Sequence, residues 1–384
     1  MITKKNILIF IDWYLPAYKA GGPVKSIAAL VFHLKEEFNF YIITSNKDLF
    51  STEPHQNIKS NNWNLLPNGE QVFYFSDDYF SLKNLQTVLK EIKYDCVYLN
   101  SFFSQRFTLY PLWLKKINVI KAPVFLAPRG MLGSGALSLK SKKKNIFIGL
   151  AKTIGLYKNI TWHATSLQEE NEIKTIFGNK VALQTISNLI LFPTKSRTNY
   201  GKETNQLKIC FVSRIAEKKN LLFALQVLET IKTGHIVFDI YGPPENENYF
   251  NTCKALAAKL PSNISVSFKG DLQGDEVEQT LKKYHVFFLP TLNENFGHAI
   301  VEAMLNGCLP LLSDATPWRN LQAQHIGWDI SLNEKEKFVA AINEALQMNE
   351  VMFEQKSKAV HQYAITHCID ISATEAYKHL FGLR

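Results

Sequence analysis

The chain has 384 residues, 46% hydrophobic and 12% aromatic, with a formal net charge of +9. This excludes a disordered chain, and the length calls for two cores, since single cores rarely grow past about 250–300 residues. No window reaches the roughly 20 apolar residues of a membrane span, and five scattered cysteines without a CxxC pair argue against disulfides or structural zinc and for a cytoplasmic setting.

Charge is uneven along the chain. Residues 1–200 carry +12 and residues 201–384 carry −3, so the front half suits an anionic partner, either a membrane surface or a nucleic acid, or else is simply lysine-rich and solvated. The opening "MITKKNILIF" breaks its apolar run by Asp12 and reads as a first strand, not a signal peptide. After it, residues 23–38 have helical spacing with Pro23 at the first turn. Further strands are predicted over 40–44, 96–100, 124–128 and 161–166. Strands interleaved with helices at this spacing predict a parallel sheet covered on both faces.

The polar stretch 194–206 has linker composition. Beyond it the rhythm restarts, with strands over 207–215 and 235–242, helices over 220–231 and around 249–260, and a strand "HVFFLP" ending at Pro290. The fold class is therefore α/β, with two doubly wound Rossmann-like domains facing across a cleft. The expected boundaries are 1–195 for a first domain and 205–365 for a second. Residues 366–384 are expected to form a terminal helix that packs back on the first domain.

Past Pro290 runs "TLNENFGHAIVEAMLNGCLP". Ligands of doubly wound sheets bind beyond the carboxyl ends of strands. A helix is expected from about Phe296 to Leu305, stopped by Gly307, and its first N–H groups make an anion site. Gly297 admits close backbone approach. Glu294 and Glu302, eight residues apart, are placed to touch opposite ends of one elongated ligand. At the end of the first strand of the back half, "VSRIAEKKN" sets Arg214 and Lys219 five apart across a short loop, so that both can converge on one diphosphate.

The string "FFLPTLNENFGHAIVEAMLNGCLPLLSDATPW", with "SR…KKN" before it, resembles the donor site of retaining glycosyltransferases of family four, which have the GT-B fold. "LAPRGMLGSGALSLKSKKKN" (126–145) resembles a segment of the bacterial surface-polysaccharide branch of that family. The resemblance implies that Glu294 contacts the donor sugar, that the Phe296–Gly297 backbone meets sugar and phosphate, and that Glu302 holds the ribose. It implies that the glycines at 21–22, Gly22 in particular, let their loop close on the diphosphate. Asn220 stands where the family has glycine. Asn188 falls at the family's domain-crossover turn, with Leu189 in place of the usual glycine.

In the front half, Arg129-Gly130 is set to bind the acceptor or a phosphate, or else to form an interdomain salt bridge. His163, in a string the family repeats, is expected to point toward the sugar. Lys140, Lys142, Lys143 and Lys144, interleaved with apolar residues, form an interfacial segment for anionic lipid or an ordinary basic helix. No Asp-x-Asp motif is present, so no metal is expected as cofactor. The reading is a retaining, metal-independent transferase moving sugar from a UDP- or GDP-sugar to a glycan or lipid-linked acceptor. Nucleic acid is not expected as a partner. The alternatives are a GT-B epimerase or phosphorylase and a basic nucleic-acid or membrane-surface binding protein.

Overall fold

The computed structural model describes residues 4–133, 141–191, 201–272 and 274–383. The chain divides into two compact units: residues 1–191 with 370–384, and residues 192–369.

The first unit is built from β1 (Lys5–Phe10), α1 (Gly22–Leu34), β2 (Phe38–Ser45), β3 (Trp63–Leu65), β4 (Gln71–Phe75), α2 (Leu82–Lys90) and β5 (Cys96–Leu99). It continues with α3 (Tyr110–Lys116), β6 (Val124–Leu126), α4 (Ser141–Thr153), β7 (Thr161–Ala164), α5 (Leu167–Phe177) and β8 (Leu183–Thr185). The sheet order is β3-β4-β2-β1-β5-β6-β7-β8, parallel throughout except for the antiparallel β3–β4 pair. Ile7, Leu8, Ile9 and Phe10 are all fully buried. Both faces of β1 are covered, which is why its sequence is a continuous apolar run without alternation.

Each face has its own core. Leu8, Phe10, Val97 and Trp162 pack with residues of α2, α3, α4 and α5. Ile7, Ile9, Phe40 and Tyr98 pack with α1 and with α12 (Ile371–Leu380). That last helix inserts Ala373, Tyr377 and Leu380, followed by Phe381, into this core. The Phe381 ring lies 5.7 Å from Phe38, 5.6 Å from Tyr98 and 6.0 Å from Phe125. Lys378 adds a 2.6 Å ion pair to Glu37.

The second unit holds β9 (Gln206–Val212), α6 (Leu221–Leu228), β10 (His235–Tyr241), α7 (Glu247–Ala257), β11 (Ile264–Gly270) and α8 (Gly274–Leu281). These are followed by β12 (Val286–Leu289), α9 (His298–Leu305), β13 (Leu309–Ser313), β14 (Trp328–Ile330), α10 (Lys335–Gln347) and α11 (Glu350–Tyr363). Its parallel sheet has the order β11-β10-β9-β12-β13-β14. From β9 the chain winds one way and from β12 the other, so the crevice where such sheets bind ligands lies at the carboxyl ends of these two neighbouring strands. Both units are thus parallel-sheet Rossmann-like α/β folds, as the sequence pattern predicts. No helix among the described residues is long and apolar enough to cross a membrane.

Candidate active site

Two loops leave the switch point of the second sheet side by side. The first follows β9 and tightens into a single 3-10 turn, Glu217–Lys219, closed by Asn220 in the left-handed region at φ 59° and ψ 41°. Glycine serves this conformation best and asparagine tolerates it, so Asn220 suits the turn. Lys219 is thereby the residue aimed across the loop. The second loop follows β12 and ends at Gly297, φ 79° and ψ 62°, the N-cap of α9.

The loops are stitched together. Leu292 N donates to the Lys218 carbonyl at 2.8 Å and Thr291 Oγ1 to the same oxygen at 3.0 Å. Lys219 Nζ and Glu294 Oε2 are in direct contact. Their side chains are 14% and 16% exposed, so this pair is largely withdrawn from solvent. Burial alone would raise the Glu294 pKa. The charge and hydrogen bond of Lys219, the charge of Lys218 and the Asn295 N–H outweigh it and hold the carboxyl below its ordinary range. Glu294 N is fixed on the Ala315 carbonyl at 2.9 Å.

Gly297 is required twice here. Its φ disfavours other residues, and a Cβ would stand 2.7 Å from Ile300 Cδ1 and 3.1 Å from Glu294 Cγ. The left-handed turn also corrects the expected start of the helix. Regular α-structure begins at His298, so Phe296 and Gly297 stand before it, and the Glu294–Glu302 spacing is not a helical one. Phe296 is buried, its ring 5.6 Å from Trp318, and the Trp318 indole donates to its carbonyl at 2.7 Å. Glu302 lies on α9, partly buried. Gly307, φ 74°, ends the helix with a Schellman pair, Gly307 N on Met304 O and Cys308 N on Ala303 O, both 2.9 Å.

Arg214, the other expected cation, is engaged on the neighbouring loop. It pairs with Glu245 Oε2 of the loop after β10 at 2.6 Å, both side chains well exposed. The reason is backbone pairing between those loops: Ile215 N donates to Pro243 O at 2.9 Å and Glu245 N to Ile215 O at 3.0 Å. Gly242 permits this approach, since a Cβ there would lie 2.0 Å from Ser213 O. An exposed pair of this kind is worth about 0–1 kcal/mol and opens readily to a ligand.

Of the two glycines at 21–22 in the first unit, Gly21 has the unusual backbone, φ 70° and ψ −119°, and is the N-cap of α1. Gly22 is the first helical residue, and its carbonyl accepts from Ser26 Oγ at 3.0 Å. Arg129, left-handed at φ 57°, donates to Asn100 Oδ1 (Nε 3.1 Å, Nη2 2.6 Å), to Tyr98 OH at 3.0 Å and to Asn188 Oδ1. These acceptors are neutral and belong to its own unit, so the salt-bridge alternative is not what holds it. Gly130 N donates to the buried Glu169 at 2.6 Å.

His163 does not point toward a ligand, contrary to expectation. It is fully buried, with Nε2 3.0 Å from Ile186 O and Nδ1 2.6 Å from Tyr98 OH. The carbonyl can only accept, so Nε2 carries the proton and Nδ1 accepts from Tyr98. Burial, then the charge of Arg129, lower its pKa to about 3, and the ring is neutral. Its place is behind Tyr98, whose hydroxyl also accepts from Arg129.

Lys143 is exposed and Lys144 lies over the Phe103 ring at 5.3 Å. Lys140 and the side chain of Lys142 fall outside the described residues. One residue escaped the sequence reading. Asp12, at the carboxyl end of β1, accepts from Ser104 Oγ at 2.6 Å. Burial pushes its carboxyl up, and the Ser104 and Ser101 hydroxyls pull partway back. The signal was the polar residue that ends the first apolar run.

The fold that carries these loops is shared with known proteins. Residues 193–366, nearly the whole of the second unit, match the family described as Glycosyl transferases group 1. Three solved structures have the same GT-B fold over nearly the whole chain. HepE of Anabaena, solved with UDP and glucose, has a TM-score of 0.72 at 14% identity, covering 98% of this chain and 99% of that one. The sucrose-phosphate synthase of Thermosynechococcus elongatus has a TM-score of 0.71 at 13% identity, covering 99% and 98%. The lipopolysaccharide outer core galactosyltransferase WaaB has a TM-score of 0.60 at 14% identity, covering 99% of both chains. In sequence, the sulfoquinovosyl transferase SQD2 of Arabidopsis thaliana is 30% identical over 117 residues, which are 30% of this chain and 21% of that protein. The match thus spans about a fifth of that relative's length.

Proposed function

We propose that the chain is a retaining, metal-independent glycosyltransferase of family four. It moves a sugar from a UDP- or GDP-sugar to a hydroxyl of a glycan or lipid-linked glycan during surface-polysaccharide synthesis. The second unit binds the donor and the first unit the acceptor. The observation that carries this reading is the Lys219–Glu294 pair at the switch point, backed by Gly297 at the mouth of α9. The group 1 match over the same unit supports it, as do relatives bound to UDP or named for lipopolysaccharide synthesis.

In this reading the diphosphate sits at the N-terminus of α9, where unpaired N–H groups and the helix dipole favour an anion. Lys219 and Arg214, released from its exposed partner, neutralise the charge that develops on the departing nucleoside diphosphate. Glu294, ionised and held by Lys219, accepts from hydroxyls of the donor sugar, and Glu302 takes the ribose. A carboxylate so tied to a lysine is poorly suited to be a covalent nucleophile. Attack therefore comes on the face the diphosphate leaves, through an oxocarbenium-like transition state, and the leaving phosphate takes the acceptor's proton. Arg129 contacts the acceptor. Removing one leaving-group cation costs about 3–4 kcal/mol of barrier.

The test is a panel of nucleotide sugars with nucleoside diphosphate release as readout, repeated with EDTA. One or more donors should turn over with and without chelator, and Glu294→Ala should abolish that turnover. Turnover undiminished in Glu294→Ala removes the site.

A further inference from the structure

Between Asp95 and Glu169 the chain carries nine lysines and two arginines and not one Asp or Glu. This acid-free run builds α3 and α4. They are the crossovers β5→β6 and β6→β7, which lie on one face of the sheet because parallel crossovers are right-handed. Buried residues of both helices, Leu112 and Leu114, Ile148 and Ala151, share one core cluster. Phe103, just ahead of α3, meets Phe147 of α4 at 5.9 Å.

The outer faces of these helices are apolar where they should be polar. On α4, Ile146 and Leu150 are four residues apart and stacked on one face. They are 64% and 62% exposed, while Ile148 and Ala151 point inward. Trp113 on α3 and Ile117 just past it are also exposed. Lys116 lies over the Trp113 ring at 5.3 Å, and Lys121 and Lys143 are exposed nearby in sequence. Large side chains left in water beside cations, with no carboxylate in the run to neutralise them, match an anionic bilayer. The apolar groups enter the acyl boundary and the lysines meet phosphate headgroups. Nucleic acid would reward the charge but not the aliphatic residues.

We infer that the α3–α4 face of the first unit is a docking surface for anionic lipid bilayers. This deepens the lipid-linked acceptor reading by bringing the enzyme to its acceptor, but the binding itself needs neither donor nor acceptor. It also moves the contact from a row of lysines to an apolar face flanked by them.

The experiment is vesicle flotation of the full chain with phosphatidylcholine alone and with about 30 mol% phosphatidylglycerol. Strong, salt-sensitive binding to the anionic vesicles is expected. Ile146→Asn/Leu150→Asn should lower the partition coefficient about ten-fold, and Lys121→Gln/Lys143→Gln about ten-fold at low salt. Circular dichroism checks that both variants remain folded. Absence of binding to anionic vesicles overturns the proposal. So does binding that Ile146→Asn/Leu150→Asn leaves unchanged, or poly(U) binding as tight as vesicle binding and equally sensitive to that variant. Nucleoside diphosphate release, followed without vesicles, reports on the transferase reading separately.

Discussion

Lys219 and Glu294 stand 75 residues apart in sequence and meet as a largely buried ion pair, one from each loop of the second unit's switch point. Neither is held by its own loop alone, so the pair tests local fold and proposed chemistry together. Removing one partner leaves a charge with little water, whereas removing both does not. Lys219→Met is expected to destabilise the second unit by about 2–3 kcal/mol, and Lys219→Met/Glu294→Gln by less than the single change. Thermal unfolding of the three proteins checks this, and a double variant less stable than the single would show that the pair is not coupled.

The same pair sets an acid limit. Glu294 has a folded-state pKa below its ordinary value, so its stabilisation is present above that value and is lost as pH falls through the folded one. This contribution should begin to be lost below about pH 4.5. Glu294→Gln should flatten this part of the profile.

His163 acts over a different window. Its neutral form is locked in, with a folded pKa of about 3 against 6.5 for a free ring. The unfolded chain takes up a proton between those values and the folded chain does not, so stability falls as pH drops from about 6.5 toward 3. His163→Gln should remove that slope, read as the pH dependence of the melting temperature. A slope unchanged in the variant would mean the ring is not neutral in the fold.

Gly242→Ala places a Cβ against the Ser213 carbonyl at 2.0 Å, with φ at 132°. The clash is with backbone, so the Arg214 and Glu245 loops must part. A loss of about 3 kcal/mol is expected, with weaker nucleotide binding in calorimetry as Arg214 is displaced.

Phe381→Ala should cost about 3–5 kcal/mol, because its ring fills a fully enclosed site among Phe38, Tyr98 and Phe125. The loss should fall on the first unit alone, so that hydrogen exchange quickens in β1 and β5 but not in β9 and β12.

Much of this was legible in the sequence where a feature is local. Buried strands such as β1 and β12 announce themselves as unbroken apolar runs, and Gly297 marks the mouth of a helix. Asn220 was harder, because a residue's tolerance for a left-handed turn shows only once the turn is known. What the sequence hid is decided across long separations. Glu245 takes Arg214 because two loops pair at backbone level, and His163 turns inward because Ile186 and Tyr98 claim both its nitrogens. β4 and β8 escaped notice because short strands next to turns carry little periodic signal.

The first unit takes its final core residues from a helix translated after the whole of the second unit. During synthesis the nascent amino-terminal sheet therefore leaves the ribosome with the groove around Phe38 and Tyr98 uncovered. The second unit, continuous in the chain, can finish first, and the first unit waits on the last helix.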